Sequence, residues 1–424
     1  SIVTAFNKTA AGSTVAFYLG GGSSVNGSTV TQTGNNFSNV TLTGATVLLG
    51  WYNADGLSNI SGPTKTITGN IFNNINIGSA GAVILRVEYS GSNSLVSSNT
   101  ISNITSAGSL LGAISYGFQN GQGTHTIHSN SISNLSTTVT GASEVYGISA
   151  GYISIPTLNV NNNLITGLSA TGPSTGIIGI RITDGNTVNV NMNSINTFTG
   201  SGTTNPSAAG ISVLGAATVN VGYNKIHTLN QTGINTATAP VVLGISLAGG
   251  LNVTARNNFV ADLNAVNTPF ADAIRGISVS STTPLSTYNL FHNSIHVNSA
   301  SALATSGTSG IYHTTNATAT TAALNMIDNI IVNTSASAGA GVTAAYRRSN
   351  ATLTNFASTS NYNLLYAGPP SATNLIFYDG TNSDQTLAAY QARVAARDAN
   401  SISSFPNFTS STDLHLTPDN CSID

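Results

Sequence analysis

The sequence is short of charge before anything else. Only 6% of its 424 residues are Asp, Glu, Lys or Arg, and the net charge is −2, where globular domains usually carry about a quarter charged residues. Eleven basic residues in all are too few to neutralise a phosphate backbone, so nucleic acid is not expected as a partner. The same scarcity disfavours a polybasic membrane-surface protein. Cysteine occurs once, at Cys421, which excludes an internal disulfide framework or a multi-cysteine metal site. No run approaches 18 apolar residues, so no transmembrane helix is expected. The opening Ser1-Ile2-Val3-Thr4 carries no signal peptide and reads as a mature or cut start. Helical periodicity is missing from the body of the chain, which argues against helix-pair repeats.

What the chain has instead is a phrase: Asn, any residue, an apolar residue, two mostly polar residues, an apolar residue. Asn130-Ser131-Ile132-Ser133-Asn134-Leu135 is one copy. Others begin at Asn35, Asn70, Asn99, Asn163, Asn193, Asn224 and Asn258, with weaker ones at Asn293, Asn329 and Asn363. Successive starts are 29 to 36 residues apart. A period near thirty that varies by a few residues marks a solenoid with loops of unequal length.

Two further phrases keep step. Just before the Asn phrase comes an alternating run such as Thr157-Leu158-Asn159-Val160 or Thr187-Val188-Asn189-Val190. Midway comes Gly-Ile-x-apolar, as in Gly147-Ile148-Ser149-Ala150, Gly179-Ile180-Arg181-Ile182 and Gly276-Ile277-Ser278-Val279. Each period therefore holds three short segments rich in Val, Ile and Thr, alternating with period two, which is the strand signal. Three strands per turn, each stacked on its equivalent one turn later, make a parallel β-helix. We expect an all-β fold: a single right-handed parallel β-helix of ten to eleven coils, the hand following from the rule for parallel crossovers. Residues 1–34 are expected to form an N-terminal cap or first irregular coil, residues 35–365 the coils, and residues 366–424 a C-terminal cap in the same domain.

The Asn residues have a structural task in this arrangement. Asn tolerates left-handed backbone at a sharp turn, and coils stacked about 4.8 Å apart bring equivalent amides within bonding reach of each other. Asn99, Asn130, Asn163, Asn193, Asn224, Asn258, Asn293 and Asn329 are expected to form such a ladder. Near the C-terminus the composition changes. Leu387, Tyr390 and Val394 fall on helical spacing, with Ser383 or Asp384 as N-cap. Pro406-Asn407-Phe408 and Asp413–Leu416 read as a last strand pair.

Tyr362-Asn363-Leu364-Leu365-Tyr366, Phe377-Tyr378-Asp379-Gly380, the Leu387–Arg393 helix, Pro406-Asn407-Phe408 and Asp413-Leu414-His415-Leu416, with the Asn-rich repeats, resemble large secreted cell-surface proteins of Bacteroidetes-type bacteria. That resemblance implies a right-handed parallel β-helix, an adhesin-like role and secretion by the type IX route. No sorting domain of that route is visible in the sequence.

Catalytic chemistry finds little support. The chain has two Glu and eleven Asp, and hydrolases need paired carboxylates across the scissile bond. Polysaccharide lyases on β-helices hold calcium with carboxylates and use Lys or Arg as base. Here Asp262 and Asp328 differ in phase, while Asp272 with Arg275 and Asp184 with Arg181 read as local surface pairs. His227 and His296 share a phase two coils apart, too far to share a metal ion. His125 and His128 sit on one alternating strand, and the histidines read as solvated polar faces. No catalytic residue, metal ligand or cofactor is assigned, and calcium is not indicated.

The leading expectation is a non-enzymatic, secreted or cell-surface β-solenoid acting as adhesin, stalk or fibre element. Its partners would be glycans, surfaces, copies of itself, or secretion and cell-surface anchoring machinery. The variable loops after each Asn phrase mark one side of the coil as the place for binding, with Arg181, Asp184, Arg256, Asp272 and Arg275 as candidate residues. The alternatives are a polysaccharide lyase or glycoside hydrolase, favoured if Arg181, Arg256 and Arg275 line one groove with aromatic platforms, and a self-assembling filament subunit. A regular Thr column at Thr124, Thr157, Thr187 and Thr218 raises ice or crystal-surface binding, against which Asn93 and Asn252 interrupt the column.

Overall fold

The computed structural model describes the chain except residues 10, 11, 13, 22–26, 57–61, 79, 118–122, 152–154, 302 and 418–424. Cys421 lies outside the described residues. The chain is nearly all β, a parallel β-solenoid of about eleven turns with three parallel sheets and one short helix near the C-terminus. It divides into two compact units, residues 1–202 with 214–219, and residues 203–213 with 220–424.

In the first unit each turn contributes one strand to each sheet. The Asn phrase supplies the first sheet, for example Thr100–Ser106 beside Ser131–Thr137 beside Leu164–Ala170. The Gly-Ile phrase supplies the second, with Leu110–Tyr116 beside Ser143–Ala150 beside Thr175–Ile182. The alternating run supplies the third, with Thr124–His128 beside Thr157–Asn161 beside Thr187–Asn191. Residues 1–34, expected as a cap or irregular coil, pair strand for strand with the next turn, with a register shift confined to Val15–Tyr18. The second unit repeats the pattern, its second sheet running through Val242–Leu247, Ile274–Val279, Thr308–His313, Thr343–Arg348 and Asn374–Tyr378.

The interior is built of columns, because the register sets like positions on top of each other. In the first unit Phe37, Phe72, Ile101, Ile132, Ile165 and Ile195 form one such column, all buried. In the second, Ile226, Val260, Ile295, Ile331 and Leu365 do the same. Full burial of each such side chain contributes roughly 1.5–3 kcal/mol. This column explains the Gly of the Gly-Ile phrase. A Cβ at Gly244 would lie 2.2 Å from Val260 Cγ1, and one at Gly276 would lie 2.4 Å from Ile295 Cγ2. The second sheet gives up a side chain where the first sheet inserts a β-branched one.

The Asn ladder runs down the turn between the third and first sheets. Each amide Oδ1 accepts both the backbone N–H and the Nδ2 of the preceding Asn, through Asn35, Asn70, Asn99, Asn130, Asn163 and Asn193 in the first unit. In the second it runs through Asn224, Asn258, Asn293, Asn329 and Asn363. The left-handed backbone falls elsewhere than expected. It belongs to the residue before each ladder Asn, such as Gly34, Ser98, Ser129 and Asn162, and to a second position four residues after it, such as Asn103 and Asn134. The ladder Asn is selected for its amide rather than for its φ.

The ladder is directional, because every member donates to the next. It ends on Asp398, whose Oδ1 accepts from Asn363 Nδ2 at 2.8 Å and from Ser401 Oγ at 2.7 Å, while Oδ2 accepts from Tyr390 Oη at 2.5 Å. An ionised carboxylate accepts and does not donate, so it is a natural last member. Tyr390 comes from the helix Leu387–Val394, which buries Tyr390 and Val394. Its N-cap is Thr386, whose Oγ1 accepts from Ala389 N, not Ser383 or Asp384. Those two residues instead form a short antiparallel strand against Asn374–Tyr378. Phe408–Ser410 and Asp413–Leu416 make the expected antiparallel pair.

Candidate functional site

The outward face of the second sheet gathers a recurrent set of the chain's sparse charges. Its central outward column is in register with the variable residue of the Gly-Ile phrase: Tyr52, Arg86, Ser115, Ser149 and Arg181 in the first unit. In the second unit it is Ser212, Ser246, Ser278, Tyr312, Arg347 and Tyr378. Both Glu residues of the chain and four of its eight Arg belong to this face, and each of these Arg stacks on a Tyr ring. In the first unit Arg86 lies 4.9 Å from the Tyr52 centroid and pairs with Glu88 at 2.5 Å, and Tyr52 Oη donates to Glu88. Burial, reinforced by Glu88, pushes the Tyr52 hydroxyl up to about 12. Arg181 lies 5.0 Å from the Tyr146 centroid and pairs with Glu144 at 2.7 Å. Arg181 thus takes Glu144 from the neighbouring coil rather than Asp184, whose Oδ1 accepts from Gly185 N.

The largest cluster is in the second unit. Asp272, just before the strand Ile274–Val279, is only 3% exposed, so it is not the surface residue expected. Its Oδ2 accepts from Arg275 Nε at 2.7 Å; its Oδ1 accepts from Ser309 Oγ at 2.6 Å and lies 3.4 Å from Arg347 Nη1. One buried carboxylate thereby ties three successive coils. Arg275 sits 3.3 Å from the Tyr312 centroid and donates through Nη1 to Ser278 Oγ. Arg347 lies 4.9 Å from the Tyr378 centroid and donates through Nη1 to the Ala271 carbonyl. These side chains line an open groove of about 250 Å³. Desolvated cation–π contacts of this kind contribute roughly 0.5–2 kcal/mol each and hold both partners in place.

Behind this sheet lies a third guanidinium. Arg348 is 1% exposed and has no carboxylate within ion-pair distance among the described residues. Its Nη1 donates to His313 Nδ1 and to Tyr346 Oη, and its Nη2 to the Thr352 carbonyl and Asn355 Oδ1. Accepting at Nδ1 leaves His313 to donate from Nε2 to the Ala322 carbonyl. Burial, then the neighbouring guanidinium, holds His313 well below the usual imidazole range, so it is neutral.

The remaining candidates scatter. Arg256 is on the third sheet, 5.7 Å from the Tyr223 centroid, so within the second unit it does not share a groove with Arg275. His227 and His296 keep the expected phase, with Ala261 between them. His125, His296 and His313 are buried, which corrects the reading of the histidines as solvated faces: the first bonds Tyr116 Oη and the second bonds Thr334 Oγ1. Among the described residues no three His, Cys, Asp or Glu side chains are grouped to hold a metal ion. Among the described residues no helix is long and apolar enough to cross a membrane. Thr124, Thr157 and Thr187 are in register on the third sheet.

Sequence reasoning named Arg181, Asp272 and Arg275 but missed Tyr312, Arg347 and Tyr378. Tyr312 alone carried a signal, as the variable residue of Gly310-Ile311-Tyr312; Arg347 and Tyr378 follow Ala345-Tyr346 and Ile376-Phe377, and only the strand register sets them in the same column.

Fold and face together define a parallel β-solenoid with a recurrent Arg-on-Tyr surface. The chain matches no protein-family model, no curated protein and no solved structure.

Proposed function

We propose that the protein is a non-enzymatic, secreted or cell-surface β-solenoid that acts as an adhesin and binds glycan on the outward face of its second sheet. The observation that carries this reading is the groove of Arg275, Tyr312, Arg347 and Tyr378, fixed by buried Asp272. Aromatic rings offer flat apolar platforms to sugar rings, and guanidinium groups offer directed donors. The resemblance of the repeats and C-terminal stretch to Bacteroidetes-type surface proteins supports the location and, through it, export by the type IX route.

The groove is lined by one carboxylate, Asp272, and both of its oxygens are engaged. Hydrolysis by a carboxylate pair is therefore not supported. A head-to-tail filament is disfavoured where the ladder ends on Asp398 beneath the Leu387–Val394 helix, since that turn offers no further acceptor in sequence with the ladder. The test is a glycan array and a polysaccharide-degradation screen on the purified protein, each with and without calcium. Binding without cleavage is expected. Cleavage of any polymer would overturn the non-enzymatic reading, and silence on the array would overturn the adhesin reading.

A further inference from the structure

Resting on that reading, we infer that the groove over Asp272 is a carboxylate-reading site, and that its ligand is a linear polyuronate lying along the solenoid axis across Tyr312, Arg347 and Tyr378. Three features carry this.

The first is the charge balance. Arg275 and Arg347 line the groove and Arg348 lies buried behind the same strand. Asp272 is the lining carboxylate. The adjacent Asp379 is folded into its own turn, accepting from Thr381 N, Asn382 N and Asn382 Nδ2. At the groove itself two guanidiniums, Arg275 and Arg347, face the single lining carboxylate, Asp272. Arg348 forms no ion pair among the described residues, and it shares the interior behind the strand with the Asp398 carboxylate, both acting on Tyr346 and Tyr390.

The second is the free edge of Arg347. Its Nη1 is committed to the Ala271 carbonyl and Asp272. Its Nε and Nη2 make no hydrogen bond to any described residue. Those two donors form the edge of a guanidinium that pairs with a carboxylate through two parallel bonds. Asp272 cannot occupy that edge, because Ser309 and Arg275 hold it on the other side.

The third is direction. Tyr312, Arg347 and Tyr378 stand on consecutive coils in register, about 10 Å from first to last at the strand spacing. A chain running across the strands meets ring, guanidinium and ring in turn. Sugar rings pack against the parts of Tyr312 and Tyr378 that Arg275 and Arg347 do not cover, and a carboxylate between them meets Arg347.

The experiment measures binding of the purified full chain to polygalacturonate, the same polymer with its carboxyls reduced, dextran and dextran sulfate. The variants are Arg347→Ala, Arg347→Lys and, on the third sheet, Arg256→Ala. Polygalacturonate is expected to bind, with carboxyl reduction weakening binding at least about tenfold, the value of one charged bidentate contact. Arg347→Ala should lose about as much, Arg347→Lys should fail to restore it, and Arg256→Ala should leave binding unchanged. Reduced polymer bound as tightly as the acid form, stronger binding of dextran sulfate, or full rescue by lysine would each overturn the carboxylate assignment. Binding of neutral glycans that ignores Arg347 would overturn this inference while leaving a glycan-binding solenoid. The comparison of acid and reduced polymer uses the unaltered protein, so it decides even if a variant fails to fold.

Discussion

Replacing Asn163 with Ala tests the ladder where it is most completely described. The side chain makes five hydrogen bonds. Its Oδ1 accepts from Asn130 N and Nδ2 at 3.1 and 3.0 Å. Its Nδ2 donates to the carbonyls of Ile127 and Asn161 at 3.0 and 3.1 Å and to Asn193 Oδ1 at 3.0 Å. Asn130 Nδ2 keeps the Val96 carbonyl and Asn193 Oδ1 keeps Asn163 N, so these groups stay partly satisfied. The Asn130 backbone N–H is buried and loses its acceptor, at about 1–3 kcal/mol. With the lesser losses at the other partners, the substitution should cost about 3–5 kcal/mol locally. A long solenoid does not unfold in a single step. The informative assay is therefore hydrogen exchange of peptides covering residues 124–170, where that cost is a loss of about two to three and a half orders of magnitude in protection. Asn159→Ala is the internal control. It lies in the same coil, four residues before Asn163, but faces outward, where its Oδ1 accepts from Asn189 Nδ2, and it should change protection by under about 1 kcal/mol. If the two variants exchange alike, the ladder contributes no more than a surface contact and the reasoning fails.

Two pH effects follow from buried groups in the separate units. Lys65 is fully buried, its Nζ donating to the carbonyls of Asn53 and Glu88, and burial lowers its pKa to about 7. Between pH 7 and the ordinary lysine value near 10.5, the unfolded chain binds the proton that the folded one has released. Stability should therefore rise with pH across that window, by at most about 1.4 kcal/mol per pH unit; melting curves of Lys65→Met that keep the same rise would refute this. His296 is held at about 4 by burial, opposed by Asp262, beneath Phe405 and Phe408. Since the unfolded imidazole protonates near 6.5, stability around it is present above that value and is lost as pH falls towards 4. Proteolysis of the 405–416 segment should quicken over that interval, and His296→Phe should abolish the change.

Repetition made the fold legible. A period near thirty, three alternating segments per period and one recurring Asn are enough to specify three strands per turn, because the register of a parallel solenoid stacks like on like. Local pairing was less legible. Arg181 and Asp184 are three residues apart, yet the guanidinium crosses to Glu144 on the neighbouring coil, because outward side chains of adjacent strands stand closer than neighbours along one strand that bends into a turn. Asp272 looked like half of a surface pair, but the coil after it places Ser309 and the next places Arg347 over its free oxygen.

What the sequence determined by itself is therefore the element type, the period and the ladder phrase. All are periodic properties, and a solenoid converts period directly into position. What only the tertiary structure decided is which sparse side chains meet. Tyr312, Arg347 and Tyr378 are each dozens of residues from the next along the chain and one strand spacing from it in space. Asp398, outside every repeat, becomes the acceptor that ends the ladder. Such meetings depend on lateral register and on the size of each intervening loop, and neither is written in any single copy of the repeat.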